Sequence, residues 1–180
     1  MIKQTLFELS FLHGMVYQID NKKLKQHILK HGNILSKDTT DSMHEDTSFP
    51  MHSELEKILM YIQSEFMYYH DNKYRLRLLK FWSQIHEKNQ STNIHNHVKV
   101  SNIEDSASLS GAYYVQCDEG AGYFVFDYPT DRYQYGRWKI KPQVGKYLLF
   151  PSTLEHWVSR NYSNNQRISI SFDFKIEQNV

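Results

Sequence analysis

The sequence predicts a mainly β protein with N-terminal helices, built as a double-stranded jelly roll with one helix packed on a sheet. Three observations lead there. From residue 73 onward the hydrophobic period changes from helical to strand-like and stays so to the end of the chain. Turn signals recur between the short runs, at Asp118 to Gly122, Pro129 to Asp131, Gly145, and Asn161 to Asn165. A strongly amphipathic helix precedes them, with an apolar face that needs a sheet to cover. A chain of 180 residues suits one domain, with a strand, helices and a loop in 1–72 and the jelly-roll core in 73–180.

The elements follow in order. Residues 4–19 alternate as a first strand, and "NKKLKQHILKHGN" reads as a short helix ending at Gly32. Residues 33–51 are polar and without periodicity, which predicts a loop. In "SELEKILMYIQSEFMYYHDN", Ser53 is the expected N-cap, with Glu56 completing a capping box. Leu55, Ile58, Leu59, Ile62, Phe66 and Met67 then fall on one helical face. The strands beyond are "YRLRLLKFWSQI", "TNIHNHVKV", "LSGAYYVQC", "GYFVFDY", "RWKIKPQ", "KYLLFP", "HWVSRN" and "QRISISFDFKI". Tyr113, Tyr123, Phe124, Phe126 and Trp157 read as core and pocket wall.

Composition narrows the function classes. With 21 basic and 20 acidic residues, no nucleic-acid or membrane-surface partner is expected. No apolar run reaches the length of a membrane span, and the first twenty residues, broken by Glu8 and His13, do not read as a secretion signal. The single cysteine, Cys117, excludes an internal disulfide and a cysteine-built zinc site, and suits a reducing cytoplasm.

The chemistry starts at "STNIHNHVKV", where His95 and His97 stand two residues apart. On a strand that spacing puts both rings on one face, about 6.5–7 Å apart, close enough to share a metal ion. On a helix they would lie about 200° apart and could not. A third ligand is available at His156, after an apolar strand and a Pro-Ser turn. Further on, Arg167, Ser169 and Ser171 share one strand face, while Ile168, Ile170, Phe172 and Phe174 share the other. The polar face suits either a solvated edge or a barrel interior where Arg167 and Ser169 grip an anion, and the strand by itself admits both.

The order H-x-H, "LSGAYYV", "GKYLLFPSTLEHWV", "QRISISF" resembles the Fe(II)/2-oxoglutarate-dependent oxygenases. It resembles in particular a branch of small bacterial and phage members in which H-x-H stands where most relatives have H-x-D. The resemblance covers about residues 75–174, with a weaker match at "TLFELSF". It implies the cupin-like double-stranded β-helix and an Fe(II) centre. It also implies 2-oxoglutarate as cosubstrate and O2 as oxidant, with succinate formed as a C–H bond of a peptide, amino acid or small metabolite is hydroxylated. It places His95, His97 and His156 as iron ligands, with His97 in the carboxylate position. Arg167 and Ser169 then bind the distal carboxylate of 2-oxoglutarate, and Tyr114 and Ser110 add hydrogen bonds to it. A bacterial or phage-infected cytoplasm is the implied location.

Replacing a carboxylate with His97 removes one negative charge from the ligand set, and Glu104 or Asp105 in the link 99–108 offers a rival ligand. A second functional class is a cupin-like metal-binding module, or a three-histidine dioxygenase that does not use 2-oxoglutarate. The Arg-x-Ser strand separates the two, because a 2-oxo diacid needs a fixed cation and a bare metal fold does not. A zinc hydrolase is the weakest option, since no H-E-x-x-H helix is present.

Overall fold

The computed structural model describes residues 10–34, 45–98, 106–129 and 135–179. Among the described residues, two helices, α1 (Asn21–His31) and α2 (Ser53–Tyr69), accompany eleven strands. Five of these precede or open the histidine region: β1 (Leu12–Met15), β2 (Asn33–Ile34), β3 (Glu45–Ser48), β4 (Tyr74–His86) and β5 (Thr92–His95). The rest are β6 (Leu109–Gln116), β7 (Phe124–Pro129), β8 (Tyr135–Ile140), β9 (Lys146–Pro151), β10 (His156–Val158) and β11 (Arg167–Gln178). They form two antiparallel sheets, ordered β1-β9-β6-β11-β4-β3-β2 and β5-β10-β7-β8. This is the expected double-stranded β-helix.

Strand β11 organises the large sheet. It pairs with β4 from Arg167↔His86 to Gln178↔Tyr74, and on its other side with β6 from Ile168↔Gln116 to Phe174↔Leu109. Its alternation sends Ile168, Ile170, Phe172 and Phe174 to the outer face. There they meet Leu24 and Ile28 of α1 and Leu55, Ile58, Ile62 and Phe66 of α2 in one apolar cluster. A second cluster lies between the sheets, where Ala112, Tyr114, Leu148 and Phe150 face Phe124, Phe126, Ile140 and Val158. Arg167, Ser169, Ser171 and Asp173 point toward this interior, and all four are buried.

Four expectations need correction. Among the described residues the first strand is only Leu12–Met15, because the chain turns at Gln18, where φ is +62°, to enter α1. Residues 1–9, including most of "TLFELSF", lie outside the described residues. The expected loop 33–51 contributes β2 and β3 to the sheet edge. Its pairing comes from the β4 ladder (Thr47↔Ser83) and a Thr47–Ser83 hydroxyl hydrogen bond, polar contacts that leave no hydrophobic period to read.

The cap of α2 is His52 rather than Ser53: its backbone is extended and its Nδ1 accepts the Glu54 N–H at 3.1 Å, which leaves Ser53 inside the helix. Finally, β5 ends at His95, so His97 follows the strand instead of lying within it. The link residues Glu104 and Asp105 lie outside the described residues.

Gly111 of β6 sits where two layers meet. A Cβ there would stand 2.5 Å from the Leu148 carbonyl oxygen and closer still to the Phe172 ring. Gly111→Ala should therefore lower stability by about 1–3 kcal/mol, measured by urea denaturation, because neither neighbour is the loose end of a side chain.

Burial also pushes Tyr113 and Tyr147, both in the helix-side cluster, up to a pKa of about 12. Below pH 10 both are protonated whether the chain is folded or not. Above it the unfolded chain loses these protons first, so stability is lost as pH rises from about 10 toward 12. Tyr113→Phe should make that alkaline slope shallower by up to about 1.4 kcal/mol per pH unit.

Candidate metal centre

Two antiparallel neighbours bring the first two histidines together. His95 is the direct cross-strand partner of His156, and their ring centroids are 4.3 Å apart. Just past the end of β5, the His97 backbone N–H donates to the Ser152 carbonyl at 2.9 Å. That bond turns its ring over the same point, with centroids 5.3 Å from His95 and 5.1 Å from His156. One candidate ligand nitrogen from each of the three lies within 4.8 Å of the other two. Small ring rotations bring such atoms to metal–nitrogen distances of about 2.0–2.1 Å.

The hydrogen bonds decide which nitrogen each ring offers. Nδ1 of His95 bonds the Asn93 carbonyl at 2.8 Å, and Nδ1 of His156 bonds the Leu154 carbonyl at 2.9 Å. Nδ1 of His97 bonds the Asp173 carboxylate at 2.6 Å. All three partners only accept, so every Nδ1 carries a proton, and in the neutral ring Nε2 is the nitrogen left with a lone pair. His156 is 3% exposed, with Phe150 at 4.7 Å and Phe124 stacked at 5.2 Å. Burial, then the repulsion that His95 and His97 would exert if protonated, holds its pKa well below the usual histidine value, so a proton scarcely competes for its lone pair. The donor set fits a divalent metal ion.

Asp173 is the residue that the histidine motif alone does not reveal. Its Oδ1 also accepts from Ser110 Oγ at 2.6 Å, and its Oδ2 pairs with Lys80 Nζ at 3.2 Å. Burial works against its charge, but the His97 bond, helped by Ser110 and Lys80, keeps its pKa below the usual carboxylate value. Its signal was present in "RISISFDF", where position 173 shares the face of Arg167.

A cavity beside the histidine rings is lined in part by Gln84, Ala112, Phe150, Val158 and Ser171. Ser171 lies four residues along β11 from Arg167, about 13 Å at strand rise. Arg167 is 1% exposed, with its guanidinium 5.3 Å from the Tyr114 ring centroid. Its Nε and Nη1 and the Tyr114 hydroxyl have no hydrogen-bond partner among the described residues. Burial raises Tyr114 to a pKa of about 12, so it stays a donor at neutral pH. Three buried unsatisfied donors and one buried cation are costly unless an anion completes them, and a carboxylate fits.

Ser169, paired with Tyr114 across the β11–β6 ladder, belongs to this group. Ser110 does not join it. Ser110 is opposite Asp173, and its hydroxyl also lies 2.9 Å from Ser152 Oγ. Of the aromatics expected in core and pocket wall, Phe124 and Phe126 lie between the sheets and Tyr113 in the helix-side core. Trp157 packs near Arg137, and Tyr123 is exposed.

Residues 80–173, just over half of the chain, match the family described as "Putative 2OG-Fe(II) oxygenase". The chain belongs to the 2OG-Fe(II) oxygenase family. It is an enzyme of that class, using Fe(II), 2-oxoglutarate and O2. No individually curated protein matches it in sequence.

Solved structures share its fold at low identity. A prolyl-4-hydroxylase of Pseudomonas putida superposes with a TM-score of 0.66 at 11% identity, over 93% of this chain and 92% of that one. A viral collagen prolyl hydroxylase of Paramecium bursaria Chlorella virus-1, solved with 2OG, gives 0.64 at 17%, over 94% and 96%. The epimerase SnoN, solved with Fe3+, alpha ketoglutarate and a nogalamycin compound, gives 0.65 at 11%, over 96% and 82%. No helix among the described residues is long and apolar enough to cross a membrane.

Proposed function

We propose that this oxygenase hydroxylates a peptide, amino acid or small metabolite at a centre held by His95, His97 and His156, with Arg167 as the anchor for 2-oxoglutarate. The carrying observation is that each ring gives Nδ1 to an acceptor while one ligand nitrogen from each lies within 4.8 Å of the others, inside the same barrel that buries Arg167 with its Nε and Nη1 unbonded among the described residues. Bound Fe(II) supplies the oxidising chemistry that couples 2-oxoglutarate decarboxylation to C–H oxidation by O2. The chain's residues hold and orient. Arg167 offers two parallel N–H bonds to a distal carboxylate, Tyr114 adds an O–H donor, and Ser169 stands opposite it on the ladder. Phe124, Phe126 and Phe150 exclude water on the His156 side.

The substrate class is supported by two structural neighbours, the viral collagen prolyl hydroxylase and the epimerase SnoN, which was solved with a nogalamycin compound. No nucleic-acid partner is proposed, in keeping with the balanced charge. A cytoplasmic location is proposed from the free thiol of Cys117. Residues 1–180 are proposed to act as one oxygenase domain, supported by the apolar cluster that α1 and α2 share with the large sheet.

Two measurements test the site. Anaerobic titration of the Fe(II)-loaded protein with 2-oxoglutarate should give a saturable visible charge-transfer band. Arg167→Ala should weaken that binding by at least about 2 kcal/mol, roughly thirtyfold, and Arg167→Lys should recover only part of it. Equal affinity in the wild type and Arg167→Ala would favour the cupin-like metal-binding module. In the second measurement, His95→Ala, His97→Ala and His156→Ala should each lose stoichiometric Fe(II) on equilibrium dialysis, while Glu104→Ala and Asp105→Ala keep it. The reverse pattern assigns a carboxylate of the 99–108 link to the metal.

A further inference from the structure

We infer that Asp173 is a positioning residue for the metal centre, returning through His97 the negative charge that the three-histidine ligand set lacks. This rests on the reading of His95, His97 and His156 as metal ligands.

The three rings are not held alike. His95 and His156 each bond the neutral carbonyl two residues back on their own segment. His97 bonds a carboxylate 76 residues away, on the opposite sheet, and at the shortest distance of the three. An anion accepting the Nδ1 proton makes the imidazole a stronger donor at Nε2 and fixes its rotation, as carboxylate–histidine–metal pairs do. Asp173 is not in the converging nitrogen cluster itself, so it reaches that point only through the His97 ring.

The surroundings show that this carboxylate is held in place for His97. Its Oδ1 is shared between His97 and Ser110, and Lys80 takes Oδ2. Ser110 continues to Ser152, whose carbonyl accepts the His97 backbone N–H. His97 is thereby tied at main chain and ring to one connected set. Trp82 packs on the ring at 5.6 Å, with Lys80 over the Trp82 face at 4.4 Å. Lys80 is 56% exposed at its side chain, so solvent weakens its hold on Asp173, and the buried His97 bond is the stronger constraint. A purely structural Asp173 would serve Lys80 first.

Co(II) binding to the metal-free protein tests this, read as affinity by chelator competition and as the visible d–d spectrum. Asp173→Asn should weaken Co(II) binding by about 10- to 100-fold and shift the bands, while Lys80→Met, which removes only a half-exposed partner of Oδ2, should weaken it by far less. In a His97→Asp background Asp173 has no imidazole through which to act, so adding Asp173→Asn should change Co(II) affinity and the bands much less than it does beside His97.

Wild-type affinity and spectrum in Asp173→Asn would overturn the inference, as would equal weakening in both backgrounds. Equal weakening by Asp173→Asn and Lys80→Met, with no spectral change, would assign Asp173 to the fold alone and also overturn it. If Asp173→Asn does not fold, Ser110→Ala removes one of the two bonds that fix Oδ1, and an unshifted spectrum there overturns the inference. Retention of tight Co(II) by His95→Ala and His156→Ala would instead overturn the ligand reading beneath it. Loss in those variants with no effect of Asp173→Asn overturns this inference only.

Discussion

The antiparallel ladder between β11 and β4 is the constraint on which the rest of the molecule depends. It runs the whole length of β11 and assigns every side chain of that strand to one of two environments. Outward residues must be apolar because two helices press on them; inward residues are polar because they meet the site. A register slip of one residue would exchange Arg167, Ser169, Ser171 and Asp173 for Ile168, Ile170, Phe172 and Phe174. The guanidinium would then enter the helix-side core and isoleucines would fill the barrel. Register, core and chemistry are one condition here.

The barrel interior combines opposite materials at close range. On the large sheet it presents Ser110, Ser169, Ser171, Asp173 and Arg167, while the small sheet answers with Phe124, Phe126 and Val158 around His156. The apolar wall keeps His156 neutral and strengthens each polar contact across from it. Polar groups survive in that setting when they satisfy one another, as the Asp173, Ser110 and Ser152 set does. Among the described residues of this interior, Arg167 and Tyr114 keep polar atoms without a partner. Their open donors are a folding expense that this chain carries at a functional position.

Most of this was legible in the sequence, for a physical reason in each case. Period-two alternation with turn residues marks strands that bury one face, so β4, β6, β9 and β11 were readable to within a residue or two. The α2 stripe was readable because helix packing demands it. Strands β2 and β3 were not, since they are held by backbone pairing and a hydroxyl contact at a sheet edge, and neither leaves a hydrophobic trace. At the site, the three histidines and Arg167 stood out by residue type and spacing. Asp173 did not, because its partner is 76 residues away and only the tertiary crossing of the sheets joins them. Ser110 was placed on the correct face, but its bond to Asp173 was not legible, for alternation gives the face of a strand and not the position along it.

His95 and His156 belong to the small sheet, and Arg167 and Asp173 to the large one. Under the proposed assignment, metal and cosubstrate lace the two sheets together, so loading and folding become one linked equilibrium. At a hundred times its dissociation constant, a ligand bound only by the folded form adds about 2.7 kcal/mol to stability. That is a large share of the margin by which a domain of this size stays folded. An iron-starved cell would therefore hold a chain that opens more often and is degraded sooner, and the enzyme's abundance would follow its cofactor supply without any dedicated regulator.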